Sequence, residues 1–507
     1  MANLIGIDLG TSYSVLSTLN SEGKTEIVYE NDRLLPSAVH FPGSKDGNDQ
    51  FFVGSSAISA LDYDHKNVVI QIKKHMQDPE YKVNFHGIDY RPEDISAFIL
   101  KKLLSTASKK IGEIDTATIT IPAYYNDIAR ERTMIAAEMA GIKNPILINE
   151  PTSAALYYSS IQKKNGKVLV YDLGGGTFDV SVVEITGEST NVLSSRGDTF
   201  GGSDFNLKLY EIINEKYKNE KKVDISEDPL EHIKQYGLIE RVKRILTERE
   251  EAGYTIIGQN GHLDFKISRK EFENNLSEYI MKSEMIIESV LNESGISKDQ
   301  IDEILLVGGS SRIPLFQKSI SNFFKKEAIT ESGFSVDEVV SLGASINSTL
   351  KTESYRTQEQ IDRIKKINLQ DVTNLYFGTI VMSESIETGD LLPRNITIIP
   401  KNSPLPCKKN REVYTVADGQ EYVKFQLTQS DVDVSDPKFA TIIDRGELNL
   451  GNNDRPAGQP VEIVYSYDES GILHCLVKDL GTGKELEITK NVQNQKSKIN
   501  LNDIVIE

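Results

Sequence analysis

The order of apolar and polar positions changes partway along this chain. Up to about residue 350, short apolar runs alternate with longer amphipathic stretches, the pattern of an α/β fold. The apolar runs predict strands at Ala117–Ile121, Lys167–Tyr171 and Glu303–Val307. The amphipathic stretches predict helices at Arg91–Lys110, Asp127–Ala140, Leu230–Glu250 and Arg269–Ser294.

Beyond about residue 369, apolar and polar residues alternate one by one, as they do in half-buried strands. This alternation predicts strands at Glu412–Ala417, Gln420–Thr428, Val461–Tyr467 and Gly471–Lys478. Asp418-Gly419 falls between two of them and predicts a tight hairpin, because glycine accepts a positive φ without steric hindrance.

The change of pattern also predicts the domain organisation. A chain of 507 residues exceeds what one hydrophobic core usually serves. We expect an α/β domain over residues 1–355, a polar linker over 356–370, a β-rich domain over 371–495 and a tail over 496–507.

One internal repeat stands out. Ile5–Thr11 is an apolar strand that ends in Asp, Gly and Thr, and Leu169–Thr177 repeats this order with three glycines. A second strand-like run follows each copy, at Ser14–Leu19 and Phe178–Ile185. Two similar halves suggest a duplicated lobe whose copies face each other across a cleft.

The repeated hairpins carry residues suited to phosphate and metal. Glycine at the turn lets backbone N–H groups approach a phosphate closely, and the neighbouring carboxylate can hold the water shell of Mg²⁺. One such hairpin is common in purely structural turns, but two are harder to explain that way. The candidates are Asp8, Gly10, Thr11, Asp172, Gly174, Gly175, Gly176 and Thr177.

A third glycine cluster, Val307–Pro314, follows an apolar strand and precedes a helix. Its glycines would let the backbone lie flat against a base or ribose, and Arg312 could stack on a purine. Taken alone, the cluster is equally compatible with a tight strand–helix connection.

Charge and composition argue against several other classes of protein. The net charge of −18 makes binding to nucleic acid or an anionic membrane surface a poor expectation. Cys407 and Cys475, with no C-x-x-C spacing, favour two unpaired thiols. The N-terminus has no signal-peptide pattern and no apolar stretch approaches a membrane span, so a cytoplasmic protein is expected.

Five spaced signatures resemble the heat-shock-seventy chaperones, the DnaK-type proteins of the actin and sugar-kinase superfamily. They are Gly6–Tyr13, Ile121–Asp127, Ile148–Ala155, Asp172–Val180 and Val307–Pro314. The resemblance covers roughly residues 3–490, continuing through Asp371-Val372-Thr373 and Gly471–His474. It implies an actin-like ATPase of two duplicated lobes with ribonuclease-H-like, five-stranded mixed sheets, followed by an antiparallel β-sandwich that binds peptides.

The resemblance also assigns roles at the nucleotide. Lys73, otherwise a surface lysine, would contact the γ-phosphate and the attacking water. Asp8 and Asp172 would hold Mg²⁺ and potassium shells, while Asp179 and Glu150 position water and cation. Thr177 would line the γ-phosphate and is the family's usual self-phosphorylation position. The remaining nucleotide-binding residues would be Gly10, Thr11, Ser12, Tyr13, Gly174, Gly175, Gly176, Gly201, Gly202, Glu240, Lys243, Arg244, Thr247, Gly308, Gly309, Ser310, Arg312 and Ile313.

Two further sites are implied. Pro122, Arg130 and Glu150 match the family's relay from nucleotide to linker. Met382, Val416 and Val423 would line the peptide cleft, although strand residues at this spacing are more often plain core.

Several departures from the family bear on partners. The linker Ile367–Gln370 is only half as apolar as usual, so interdomain docking is expected to be weaker. Ile146 replaces a basic residue that meets the J-domain co-chaperone, and the short insert Gly253–His262 makes a GrpE-type exchange factor doubtful. The chain stops at Glu507, where the family continues into a helical lid, so we expect a lidless member resembling the bacterial branch typified by HscC.

The leading interpretation is an ATP-dependent chaperone that binds unfolded or extended apolar segments in its β domain under control of ATP binding and hydrolysis. A sugar or polyol kinase of the same superfamily would not need Lys73, the Glu150 signature or the β domain. An actin-like filament protein would polymerise with ATP. A regulator that holds one native partner stays open as an alternative.

Overall fold

The computed structural model describes residues 3–45, 48–162, 165–187, 189–225, 229–258, 261–329, 335–352, 357–384, 389–451, 454–468, 472–489 and 505–506. The predicted limit at residues 355 and 356, Gly471 and most of the tail lie outside these residues. The chain forms two compact units: one comprises residues 1–191, 196–369 and 497–507, and the other residues 192–195 and 370–496. The exact domain limits stay a prediction.

Strands and helices alternate along the first unit, whereas the second unit consists mainly of strands. The strands up to residue 198 are β1 (Asn3–Leu9), β2 (Tyr13–Leu19), β3 (Thr25–Ile27), β4 (Leu35–Pro36), β5 (Ala38–His40), β6 (Ser44–Lys45), β7 (Asn48–Val53), β8 (Val68–Ile70), β9 (Val83–Phe85), β10 (Ile88–Tyr90), β11 (Ile114–Ile121), β12 (Asn144–Asn149), β13 (Gly166–Leu173), β14 (Phe178–Thr186) and β15 (Ser189–Asp198). The later strands are β16 (Glu251–Gly258), β17 (Gly261–Ser268), β18 (Glu303–Val307), β19 (Asn368–Gln370), β20 (Tyr376–Glu384), β21 (Leu391–Ile399), β22 (Cys407–Tyr414), β23 (Tyr422–Ser430), β24 (Thr441–Asn449), β25 (Pro460–Tyr467), β26 (Leu473–Asp479), β27 (Glu485–Thr489) and β28 (Val505–Ile506). The helices are α1 (Ser55–Asp64), α2 (Pro92–Ile111), α3 (Asp127–Ala140), α4 (Glu150–Gln162), α5 (Gly202–Lys221), α6 (Pro229–Glu248), α7 (Arg269–Asn274), α8 (Ser277–Ser294), α9 (Pro314–Phe324), α10 (Val339–Lys351) and α11 (Gln358–Ile364).

The first unit contains two sheets of the same design. One has the order β12-β11-β1-β2-β3, and the other has the order β18-β13-β14-β15-β19. In each, a hairpin (β1–β2 or β13–β14) is joined by a parallel strand, β11 or β18 respectively. The predicted duplication is therefore confirmed. Five strands were expected in each sheet. Among the described residues the first sheet has six, because β4 also pairs with β2.

The second unit is an antiparallel β-sandwich, as predicted. Its sheets have the orders β21-β20-β23-β24 and β22-β25-β26-β27. Phe377 and Phe425 from the first sheet pack with Val461 and Cys475 from the second in a shared core. The Tyr465 hydroxyl ties the sheets together by donating to the Gly378 carbonyl, 2.8 Å away.

The prediction of a tight hairpin at Asp418-Gly419 is wrong. Gly419 does have a positive φ of 65°, but β22 and β23 on either side of it belong to different sheets. The loop between them is held by another loop: Gly419 N donates to Arg455 O at 2.8 Å, and Asp418 Oδ1 accepts from Ala457 N at 2.7 Å. A local turn signal does not determine which strand the outgoing chain pairs with.

Two other predicted intervals differ in the structure. The predicted helix Arg269–Ser294 is two helices, α7 and α8, because the backbone turns more tightly between them: Asn275 N and Leu276 N donate to the carbonyls three residues before them, each at 3.0 Å. The predicted linker contains α11, whose Gln360 side chain donates to the carbonyls of Leu19 and Asn20 at 2.8 and 3.0 Å. It also contains β19, the edge strand beside β15.

Cys407 and Cys475 are both free thiols, as expected. Within the part of the chain that the structure describes, no helix is long and apolar enough to cross a membrane.

Candidate functional site

The two repeated hairpins open onto one cleft of about 360 Å³ in the first unit. The turn after β18 and one face of α6 also line this cleft. The predicted residues that line it are Asp8, Gly10, Thr11, Ser12, Tyr13, Lys73, Glu150, Asp172, Gly174, Gly175, Thr177, Glu240, Lys243, Arg244, Thr247, Gly308, Gly309, Ser310, Arg312 and Ile313.

Close backbone approach explains the glycines of the hairpins. A Cβ on Gly10 would lie 2.1 Å from the Tyr13 carbonyl oxygen, and one on Gly175 would lie 2.3 Å from Ser12 Oγ. Real Cβ atoms do not approach other atoms so closely, so the first turn can close only with glycine at Gly10, and the second turn can pack against Ser12 of the first only with glycine at Gly175. The hairpins thus present backbone N–H groups to the cleft from both lobes.

A buried charge cluster lies at the inner end of the cleft. Lys73, on a short 3-10 helix after β8, forms an ion pair with Glu150, the first residue of α4. The two side chains are only 6% and 7% exposed. Burial alone lowers the pKa of the Lys73 ammonium, but Glu150, Asp8 and Asp179 outweigh it and raise this pKa above its usual value. The lysine therefore stays protonated and positive.

The aspartates around this pair carry raised pKa values. Burial, and then the charge of Glu150, raise the pKa of Asp8 to about 7. The same two causes raise the pKa of Asp172 and of Asp179 well above the usual range. Asp179 Oδ1 accepts from Ala123 N at 2.7 Å, but its Oδ2 has no hydrogen-bond partner among the described residues.

These four carboxylates around one ammonium fit a cation. A bound positive charge would reduce the repulsion between the carboxylates and would give the unpartnered Asp179 oxygen a partner. Among the described residues, no three His, Cys, Asp or Glu side chains are grouped closely enough to hold a metal directly. The four carboxylates could hold the water shell of a cation such as Mg²⁺, which prefers ligation by water and phosphate oxygens.

The outer end of the cleft is built by α6. Glu240 accepts from Lys243 at 2.8 Å, from Arg244 at 2.9 Å and from Asn206 at 2.9 Å. Burial would raise the pKa of Glu240, but these partners lower it to about 2, so it stays charged. The Arg244 guanidinium donates to the Tyr13 hydroxyl at 2.8 Å and lies 5.5 Å from the centre of that ring. The network holds a planar cation and an aromatic ring where a nucleoside could stack.

The third glycine cluster faces this network. Gly308 has a φ of 78°, and a Cβ there would lie 2.5 Å from the Leu173 carbonyl oxygen. The Arg312 guanidinium is held by Asp337, with 2.7 Å between Nη1 and Oδ2. The cluster thus lies directly behind the second hairpin.

The predicted relay residues lie beside the charge cluster. Arg130 Nη2 donates to Asn149 Oδ1 at 3.1 Å, and Asn149 directly precedes Glu150. The Pro122 carbonyl accepts from Tyr125 N at 3.2 Å, and the Tyr125 hydroxyl donates to the Lys73 carbonyl at 3.2 Å.

In the second unit, β20 and β23 separate at one end. Their ladder joins Tyr376–Thr379 with Leu427–Ser430, and among the described residues it ends there, although both strands continue. Met382, 48% exposed, and the half-buried Val423 lie beyond the paired part. Val416, 49% exposed, lies in the loop between β22 and β23, because the strand predicted to continue to Ala417 ends at Tyr414 in the structure.

Comparison with known proteins gives a consistent result. The family model described as Hsp70 protein matches residues 4–78 and 52–507. The chain is 35% identical to "Chaperone protein DnaK" of Thermosipho africanus (strain TCF52B) over 99% of this chain and 82% of the relative. It is also 35% identical to the protein of the same name from Thermotoga neapolitana, over 95% of this chain and 79% of the relative.

The chain belongs to the Hsp70 family. It is accordingly an ATP-dependent molecular chaperone with an ATPase domain, and the kinase alternative is not favoured. Nucleotide binding is general to this family.

A few residues predicted for this site do not line the cleft. Gly176, Gly201, Gly202 and Asp179 lie behind the lining; for example, the Gly202 carbonyl accepts from Lys243 Nζ at 2.9 Å. Sequence reasoning missed several lining residues, which come from distant segments: Val15, Leu34, Glu248, Val307, Val336, Asp337 and Val340. Only Val307, inside the third cluster, carried a signal in the sequence.

Proposed function

We propose that this Hsp70-family chain hydrolyses ATP in the cleft between the hairpins and binds an extended apolar peptide where β20 and β23 separate. One observation carries the first half of the proposal: the only lysine in the buried charge cluster, among the described residues, is Lys73, and it lies at the inner end of a cleft lined by glycine turns. We further propose that Mg²⁺, with K⁺ possible beside it, is held through water by Asp8 and Asp172.

In this proposal the base and ribose lie between Arg244 and the third glycine cluster, and the phosphates lie against the two hairpins. Mg²⁺, when bound, would neutralise phosphate charge. Lys73 supplies a fixed positive charge where the γ-phosphoryl oxygens gain negative charge. Glu150 orients the attacking water by accepting a hydrogen bond from it, Asp179 supports water and cation from behind the lining of the cleft, and Thr177 contacts the γ-phosphate. The chain contributes positioning and electrostatics rather than a covalent intermediate.

The peptide half rests on the end of the β20–β23 ladder. Strands that run on without pairing leave backbone N–H and C=O groups free to bond an extended segment, and apolar side chains beside them provide a pocket. Unfolded or extended polypeptide is therefore the partner proposed for this unit.

The test of the nucleotide site is Lys73→Ala, with the exposed Lys66→Ala as a control on the same stretch of chain. Loss of a charge contact of this kind typically slows the chemical step about 10²–10³-fold. We expect Lys73→Ala to bind ATP but to lose most single-turnover hydrolysis, while Lys66→Ala keeps the wild-type rate. Wild-type hydrolysis by Lys73→Ala would show that the assigned chemistry is wrong.

A further inference from the structure

A second arginine of α3 holds the segment that follows Lys73. Arg132 Nη1 donates to the carbonyls of His75, Met76 and Asp78 at 3.3, 3.1 and 2.6 Å, and Nη2 donates to the Pro79 carbonyl at 3.2 Å. Four carbonyls within five residues thus turn towards one guanidinium. Only arginine has a planar fork of donors that can satisfy such a set, since a lysine ammonium acts as a point charge.

Arg132 is itself fixed from behind. Its side chain is 5% exposed, and its Nε lies 3.2 Å from Oε2 of Glu93, which is 1% exposed and stands at the start of α2. Burial raises the pKa of Glu93 even though Arg132 lowers it. A buried pair of this kind is poor evidence for stability, because apolar residues of similar volume often replace one without loss. Its position next to the Lys73 segment gives it another role.

The other end of the Lys73 segment is strained. Gln71, just before the 3-10 helix Ile72–His75, has a φ of 58°, in the left-handed region that residues other than glycine rarely adopt. Such a conformation persists only where the surroundings determine it more than once. Two contacts hold the chain that follows Gln71. The Arg132 guanidinium donates to carbonyls after the turn, and the Tyr125 hydroxyl donates to the Lys73 carbonyl.

Helix α3 therefore contacts the chain next to each member of the Lys73–Glu150 pair. Arg130 bonds Asn149, which precedes Glu150, and Arg132 bonds the segment that follows Lys73. Side chains two positions apart on a helix point in different directions, so Arg130 and Arg132 can reach the two segments from one helix. Arg132 is not among the residues that line the cleft.

We propose that Arg132, oriented by Glu93, is a positioning residue for ATP hydrolysis: it holds residues 75–79 so that the Lys73 ammonium stands at its place in the cleft. The proposal rests on the function proposed above for Lys73. A small displacement of a catalytic group can slow chemistry up to about 100-fold without affecting substrate binding. Loss of Arg132 should therefore lower the rate of the chemical step and leave nucleotide affinity unchanged.

The test compares Arg132→Lys, the double variant Arg132→Met/Glu93→Met and wild type in the full chain. The double variant removes both buried charges together, so no unpaired charge remains to destabilise the fold. ATP complexes are formed first, and single-turnover hydrolysis is then started with Mg²⁺, so only folded, nucleotide-bound protein is measured. ATP affinity and hydrogen exchange of residues 71–79 are measured alongside. The control is Arg91→Met, a half-exposed arginine 3.8 Å from the same Glu93.

We expect wild-type affinity in all variants, hydrolysis slowed by about 10–100-fold in the double variant and by less in Arg132→Lys, and faster exchange at residues 71–79. Arg91→Met should behave as wild type. The positioning role is overturned if the double variant hydrolyses bound ATP at the wild-type rate, or, should it not fold, if Arg132→Lys does so. Lys73→Ala, measured in parallel, separates the two proposals: if it is inactive while the Arg132 variants are fully active, only the positioning role fails.

Discussion

Among single residues, the glycines that let helices approach closely determine the shape of the first unit. A Cβ on Gly343 of α10 would lie 1.8 Å from the Ser153 carbonyl oxygen of α4, and one on Gly6 of β1 would lie 2.1 Å from Ser345 N. The Ser153 hydroxyl also donates to the Val340 carbonyl at 2.7 Å. Because Glu150 begins α4, this close packing also sets the position of a candidate catalytic carboxylate.

Gly343→Ala should destabilise the first unit by about 1–3 kcal/mol or more, since backbone must move to admit the methyl group. Thermal unfolding of the full chain followed by circular dichroism measures this. Gly253→Ala is the matched control, because a Cβ there meets nothing within 4 Å among the described residues. It should change stability by about 0.5 kcal/mol or less. Equal midpoints for the two variants would contradict the packing argument.

Asp479 is the residue that gives the second unit a defined pH dependence. Its buried carboxylate accepts from Arg455 at 2.7 and 3.1 Å, from the Thr482 hydroxyl at 2.5 Å and from Gly481 N at 3.1 Å. Burial would raise the pKa of Asp479, but these donors lower it to about 2, below the ordinary value of 3.8. Its stabilisation is therefore complete above pH 3.8 and is lost as the pH falls towards 2.

Asp479→Asn should destabilise the second unit at pH 7 by about 1–3 kcal/mol, because charged hydrogen bonds are lost from a buried position. The difference from wild type should shrink as the pH falls from about 4 towards about 2, where wild type also becomes neutral. Pulsed hydrogen exchange of β26 across a urea titration, at pH 7 and pH 3, reports this unit alone. A difference that stays constant with pH would refute the assigned ionisation.

For the strands and helices, the end of the β20–β23 ladder is the feature with the clearest functional consequence. The register stops at Thr379 and Leu427, while each strand remains paired on its other side, to β21 or β24. The open stretch thus stays rigid. Rigid strand edges with adjacent apolar side chains are suited to adding an extended segment.

Val423→Phe should abolish binding of a fluorescent apolar peptide, because a filled pocket cannot admit another side chain. Val432→Phe serves as control, since Val432 is exposed and lies in the loop after β23, past its paired end. Fluorescence anisotropy of the labelled peptide measures both. Unaffected binding in Val423→Phe would mean that peptides bind to a different surface.

Over the whole molecule, the end of the first unit, just before the boundary between residues 369 and 370, is the place where nucleotide state should be detectable. Lys365 and Lys366 are exposed and lie between α11 and the edge strand β19. Proteases cut segments that leave regular structure, so cleavage here reports whether β19 is docked.

Trypsin should cleave after Lys365 or Lys366 at different rates with ATP and with ADP. The effect should be smaller than in members with leucine-rich linkers, because Asn368 and Gln370 bury little apolar surface. Arg130→Ala, which removes the contact with Asn149, should make the two rates converge without loss of nucleotide binding. Equal rates in the unmodified chain would indicate that the units are uncoupled.

The sequence alone determined the features of this protein that depend on neighbouring residues. Strand, Asp, Gly and Thr in that order define a hairpin by local sterics and alternation, so both lobes and the hairpin residues of the cleft could be predicted, whereas Lys73, Glu150 and the residues of α6 were implied only by the family resemblance. Helix Asp127–Ala140 and strand Glu303–Val307 were predicted to the residue for the same reason.

Only the tertiary structure decided what depends on distant partners. It sends the chain at Asp418-Gly419 to another sheet, since loop 455–457 supplies the hydrogen bonds, and it brings Asp337 and Leu34 into the cleft. It also turns Arg132, a charged helix residue in the sequence, into the donor for four carbonyls more than fifty positions away. Burial of polar groups forces such pairings, and burial is a property of the packed molecule rather than of any short segment.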